Sequence, residues 1–217
     1  MRKLYATLLF SVFGYWASAQ FQTLANPATT VLQTSAPGYT EFRLTTTTPI
    51  EQAGAVWKTA KYNLSSNFSF SASLNFGIYT ETNPDLTKPK SLSGQPNSPY
   101  NYQTGADGIA FVMAPAPYLG VKGEEIGYGT TIHDPVDGTP GYTPNKSLAI
   151  EMDTWQNVWP GHDGWADHHD PDGNHIAMLS NGQATHGTAQ ELVAPMSLSG
   201  DLEDGQWHDV TISWNAG

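Results

Sequence analysis

The clearest pattern in the chain is the alternation of Phe68, Phe70, Ala72, Leu74 and Phe76 with serine and asparagine. A period of two puts these apolar residues on one face of a strand. Residues 207–214 alternate in the same way. His208, Val210, Ile212 and Trp214 form the more apolar face and are expected to meet the core; Trp207, Asp209, Thr211 and Ser213 form the other. Residues 109–113, 147–154 and 175–179 are short, mostly apolar runs and predict buried strands, the last ended by an Asn181-Gly182 turn. Residues 40–47 and 54–58 predict further strands, and 21–39 an edge strand with loops. Residues 81–104, 119–129 and 130–145 are rich in proline, glycine and small polar residues and read as loops. No helix longer than a turn or two is expected. The sum is an all-β chain, an antiparallel sandwich or related jelly roll.

The N-terminus changes the address but not the fold class. Met1-Arg2-Lys3 precedes a mostly apolar run to about Trp16, and Ala17-Ser18-Ala19 follows. That order predicts a secretory signal peptide over 1–19, with a domain spanning 20–217, and a secreted or cell-surface protein. The run is short for a membrane span, and no later stretch is apolar enough to serve as one. There is no cysteine, so an exported domain must rely on its core and on bound ions rather than on disulfides. Nine basic residues against twenty acidic ones give a net charge of −11. Nucleic acid and anionic membranes are therefore excluded as expected partners, while cations and neutral ligands suit the chain.

Chemistry concentrates after the strand over 147–154. Glu151 and Asp153 lie two apart, so both carboxylates leave the same strand face. Like charges so placed repel unless a proton or cation lies between them. Asn157, His162, Asp163, Asp167, His168, His169, Asp170, Asp172, Asn174 and His175 follow. Hard oxygen donors suit calcium, and carboxylates with an imidazole suit manganese or another first-row ion; the alternative is a solvated acidic loop. An EF-hand starting at Asp170 fails, because His175 falls where glycine is needed and Asn181 where glutamate is needed. His168-His169 lacks the partners of a zinc-hydrolase helix. A laminarinase-like glycanase needs a second acid after Glu151 and Asp153, where this chain has Trp155 and Gln156. Neither can protonate a leaving oxygen at neutral pH, so no catalysis is expected.

Four pieces in order carry a family resemblance: 106–111 (Ala-Asp-Gly-Ile-Ala-Phe) with the glycine loop at Gly127 and Gly129; 147–157; Asp170-Pro171 with His175-Ile176; and 204–212. Together they resemble the legume-type (L-type) lectins, specifically their bacterial secreted relatives, over most of the chain from about Phe68 to Trp214. The resemblance implies a two-sheet, concanavalin A-like jelly roll with metals and ligand at one rim. It implies that Glu151 and His175 hold a transition ion, usually manganese, and that Asp153 and Asp170 bridge both ions. Asn157 and the backbone carbonyl of Trp155 would complete calcium. Spacing to His175 favours Asp170 over Asp172 as the bridging acid. A glycan would meet the side chains of Asp107 and Asn157, a backbone N–H from Gly127 or Gly129, and the flat ring of Trp155. The metals would do no chemistry on the sugar; they would hold Asn157 and Trp155 in place, lowering the ordering cost of binding.

The chain departs from that pattern by stopping at Gly217, just after a strand, where family members continue through further strands and another ligand-contacting loop. A C-terminally truncated domain, with more protein downstream, is therefore expected. Two other function classes stay open from the residues: the sandwich glycoside hydrolase, and a structural or adhesive module of a larger surface protein whose metal site only stabilises.

Overall fold

A computed structural model of the chain describes residues 5–11, 21–27, 29–36, 39–46, 52–77, 80–81, 102–103, 107–133, 140–142, 145–155, 157, 169–171 and 174–217. For 5–11, 80–81, 102–103, 131–133 and 140–142 it describes the backbone alone. In chain order the strands are β1 (Tyr5–Ser11), β2 (Phe21–Ala25), β3 (Leu32–Ala36), β4 (Tyr39–Thr46), β5 (Gly54–Lys58) and β6 (Phe68–Asn75). There follow β7 (Thr80–Glu81), β8 (Tyr102–Gln103), β9 (Gly108–Met113), β10 (Thr131–His133) and β11 (Pro140–Tyr142). The last are β12 (Leu148–Asp153), β13 (His175–Ser180), β14 (Glu191–Ser197) and β15 (His208–Trp214). The helical element among the described residues is one 3₁₀ turn, Gly123–Glu125. The protein is all-β, and its strand pairs are antiparallel.

Two larger sheets carry the architecture, one ordered β15-β6-β1-β4-β3 and the other β14-β13-β12-β9. Ala72, Leu74 and Phe76, from β6 and the residue just after it, cluster with Ile109 of β9 and Met152 of β12. Val210 of β15 and Ile176 of β13 pack against the same cluster, and the Phe70 and Phe111 rings lie 4.9 Å apart. The core thus forms where one face of each sheet meets the other, an arrangement compatible with a sandwich. The alternating face foreseen on β15 is the half-buried one, with Asp209, Thr211 and Ser213 exposed.

The four-stranded sheet is covered on its other face as well, and that second covering positions the site. Strand pairing sets Glu151 opposite Ala177 and Asp153 opposite His175, with Glu151 opposite Ala110 on the other side. Directly paired residues share a face. Ala149, Glu151 and Asp153 therefore point away from Met152 and the inter-sheet core. Ala149 packs instead with Tyr128 and Ala184, and Ala110, Val112 and Ile126 close around them. The loop after β9 lies over this face, held by Gly120 N–H to Gly127 O (2.8 Å) and Val121 N–H to Gly129 O (2.8 Å).

Four expectations change. Residues 130–145 are not all loop, since β10 and β11 pair as a short hairpin. β14 was not foreseen; Pro195 within it and its uneven burial conceal it as a pattern. Residues 81–104, expected as one loop, take part in a further pairing, that of β7 with β8. Tyr5–Ser11, inside the segment expected to be a leader, pairs with both β4 and β6 as the middle strand of the five-stranded sheet.

Candidate metal centre

β12 ends in a concentration of buried charge. Relative exposure is 1% for Glu151, 3% for Asp153, 5% for Asp170, 0% for His175 and 3% for His186. The strand delivers the first two side chains, the start of β13 delivers His175, and the turn between β13 and β14 delivers His186. Two sets of donor atoms converge, Glu151 with His175 and His186, and Asp153 with Asp170 and His175; within each set the atoms lie within 4.8 Å of one another. His175 Nε2 and His186 Nε2 are 3.0 Å apart. Glu151 Oε1 lies 3.1 Å from His186 Nε2 and 3.8 Å from His175 Nε2. Asp170 Oδ1 lies 3.6 Å from His186 Nε2.

The surrounding hydrogen bonds fix the acids rather than neutralise them. The Tyr128 hydroxyl donates to Glu151 Oε2. Trp155 N–H donates to Asp153 Oδ1 at 2.6 Å, and Asn157 N–H to Asp170 Oδ2 at 2.6 Å. Burial pushes the Asp153 carboxyl well above the usual carboxylate range, with Asp170 and Glu151 adding to it. Burial likewise raises Asp170 to about 6 against the bond from Asn157. It raises Asp107 to about 7, helped by Glu124 and Asp170. Burial pushes Glu151 up as well, but the neighbouring imidazoles of His175 and His186 and the Tyr128 hydroxyl outweigh it and hold Glu151 below the usual carboxylate value. Burial opposes a charge on His186, but Glu151, then Asp170 and Glu191, hold its pKa above the ordinary value.

These residues fit a bound cation. Asn157 Oδ1 is a buried oxygen with no hydrogen-bond partner among the described residues, and Glu151 Oε1, equally buried, faces the two imidazole nitrogens. Both aim from residues the sequence had put forward as ligands. A buried polar atom without a partner is costly, and divalent cations in this cluster would give Asn157 Oδ1 a partner and hold the raised carboxyls ionised. The donor chemistry divides, with imidazole nitrogens toward Glu151 and oxygens toward Asp153, Asp170 and Asn157.

Asp107 is joined to this centre through backbone. Thr154 N–H donates to Asp107 O at 2.8 Å and the Thr154 hydroxyl donates to the same oxygen at 3.1 Å. At neighbouring Gly108 an added Cβ would run into the Met152 carbonyl, so glycine is what allows β9 to pass this close to β12. The position that a Cβ on Gly123 would take is 3.7 Å from Asp107 Oδ2.

The glycines and the tryptophan expected at the sugar site have settings the sequence did not foretell. Gly127 N–H donates to Val121 O at 2.9 Å and Gly129 N–H to Glu125 O at 2.9 Å. Both amides are used inside the loop, and the loop glycine beside Asp107 is Gly123. Trp155 is 6% exposed, so its ring is largely enclosed rather than laid open as a stacking platform. Among the expected ligands, Glu151, Asp153, Asp170, Asn157 and His175 are brought together. His169 is exposed, while Gln156, His162, Asp163, Asp167, His168 and Asp172 lie outside the described residues. His186 was missed: it stands alone between Thr185 and Gly187, after the histidine-rich run has ended, and only the β13–β14 turn brings it back.

No protein-family model matches the chain, and no solved structure matches it. The lectin resemblance therefore rests on the sequence motifs alone.

Proposed function

We propose that the chain is a secreted, metal-dependent carbohydrate-binding domain of the L-type lectin kind, built as a two-sheet jelly roll. In this reading Glu151 and His175 hold a transition ion, manganese or another first-row divalent ion. Asp153 and Asp170 bridge to calcium, which Asn157 and the Trp155 carbonyl complete. Asp107 and Asn157 present side-chain groups to a glycan. The ions fix the loop after β12 and carry out no reaction on the sugar, so binding starts from an ordered surface.

The observation that carries the reading is the convergence of buried acids and imidazoles around Glu151 and Asp153, beside a buried Asn157 Oδ1 that has no hydrogen-bond partner among the described residues. The two hydrogen bonds that Thr154 donates to the Asp107 carbonyl support coupling of the proposed sugar residue to the metal strand. The test is glycan-array binding by the intact chain. Binding abolished by chelator and by Asp107→Ala is expected, and binding retained in excess chelator would sink the proposal.

The enclosure of Trp155 favours one rival, a metal site that only stabilises a structural or adhesive module. A calcium-dependent rise in melting temperature without binding to any glycan would select it. The glycanase reading has no supporting observation, since buried Trp155 stands where a proton donor would be needed.

A further inference from the structure

His186 belongs to no expected ligand set, yet its position is that of a ligand. Its Nε2 is 3.0 Å from His175 Nε2 and 3.1 Å from Glu151 Oε1. Metal–nitrogen bonds of about 2.0–2.1 Å, opened at tetrahedral to octahedral angles, set two ligand atoms about 2.9–3.3 Å apart. Both separations fall in that interval. The two imidazoles meet edge to face, with centroids 5.0 Å apart and planes at 69°, so they are not stacked.

The far side of the ring is also arranged for this role. His186 Nδ1 is 3.2 Å from Glu191 Oε2, the oxygen that also accepts Gly187 N–H at 3.0 Å. An ionised carboxylate only accepts, so this contact favours the neutral tautomer with the proton on Nδ1, in which Nε2 turns its lone pair to the cluster. A carboxylate behind a metal-binding imidazole fixes both its tautomer and its orientation.

We propose that His186 is a direct ligand of the transition ion, oriented by Glu191, so that the ion sits between two imidazoles and the site selects a nitrogen-preferring metal such as zinc or cobalt over manganese. This deepens the metal reading above and rests on it. The physical reason is donor type: imidazole suits the later first-row ions, whereas carboxylate and water suit manganese. The competing role for His186 is a counter-charge to Glu151 with no bond to metal.

The two roles separate in metal titrations of the full chain, stripped and then reloaded with Zn²⁺, Co²⁺ or Mn²⁺. Wild type is expected to bind all three. His186→Ala should weaken Zn²⁺ and Co²⁺ by about 10–100-fold while changing Mn²⁺ much less, and should alter the visible absorption of the Co²⁺ form. Glu191→Gln keeps the ring and should weaken Zn²⁺ by about tenfold, which protects the test should the alanine variant fold poorly. Equal Zn²⁺ affinity and an unchanged Co²⁺ spectrum in both variants would overturn the proposal while leaving the metal site standing. Absence of any transition-ion binding by wild type would overturn the proposal and the metal reading together.

Discussion

Thr154 gives both its backbone N–H and its hydroxyl to one acceptor, the carbonyl oxygen of Asp107, at 2.8 and 3.1 Å. The residue after the metal strand thereby fixes the backbone of the proposed sugar contact. Thr154→Val keeps the N–H bond and the shape but removes the hydroxyl. The variant is expected to lose about 1 kcal/mol of stability, measured by urea unfolding. Glycan affinity should fall by more than calcium affinity, because the change acts on Asp107. Equal losses in both would show that Thr154 serves only the metal loop.

Tyr128 sits beneath Glu151 and donates to the oxygen turned away from the imidazoles. Tyr128→Phe leaves that buried oxygen without its donor, a cost of about 1–3 kcal/mol. The melting temperature of the metal-stripped protein should drop clearly. An unchanged value would mean that a water replaces the hydroxyl.

Removing a ligand should do more than removing an orienting group. Glu151→Gln and Asp153→Asn are expected to weaken metal binding by more than the roughly 10–100-fold typical of losing an orienting partner. Calorimetric titration of the stripped protein reads this directly. Wild-type affinity in both variants would exclude these two residues from the site.

The acids also set a pH dependence whose sign depends on metal. In the metal-free chain Asp107 and Asp170 have folded values of about 7 and about 6, above the ordinary 3.8. A raised carboxyl pKa contributes stability that is full below the unfolded value and is lost as pH rises through the folded one. The stripped protein should therefore melt at falling temperatures between about pH 4 and pH 7 from these groups. Loading calcium with a transition ion should reverse the trend, because the ligands bind metal only when deprotonated. Melting curves with and without chelator test it; parallel curves would count against a cation in the cluster.

Much of this was legible because strand period carries burial. The interleaved apolar run at Phe68–Asn75 and the alternation at His208–Trp214 became paired strands, with the apolar face of β15 inward. Glu151 and Asp153 share a face because strand geometry leaves no other choice. What stayed hidden depends on distant contacts. His186 has no local signal, and its closeness to Glu151 arises only when β13 and β14 fold back on one another. The amides of Gly127 and Gly129 looked available because glycine in a loop does not announce which carbonyl its N–H will meet. Trp155 followed a strand end among polar residues, a context that does not reveal how deeply the ring is covered.

β1 has a consequence for timing. A strand bonded on both sides, to β4 and to β6, cannot be cut away by a peptidase acting on the finished sheet without opening that sheet. If residues 1–19 are a leader, as the sequence proposes, their removal and closure of the five-stranded sheet would compete, and whichever came first would decide the product. On the proposed secretion, intact mass measurement of protein expressed with its full N-terminus is expected to find a chain starting at Gln20, processed before folding, with β4 and β6 left as open edges for another strand to join. A folded product that retains Met1 would show that closure won.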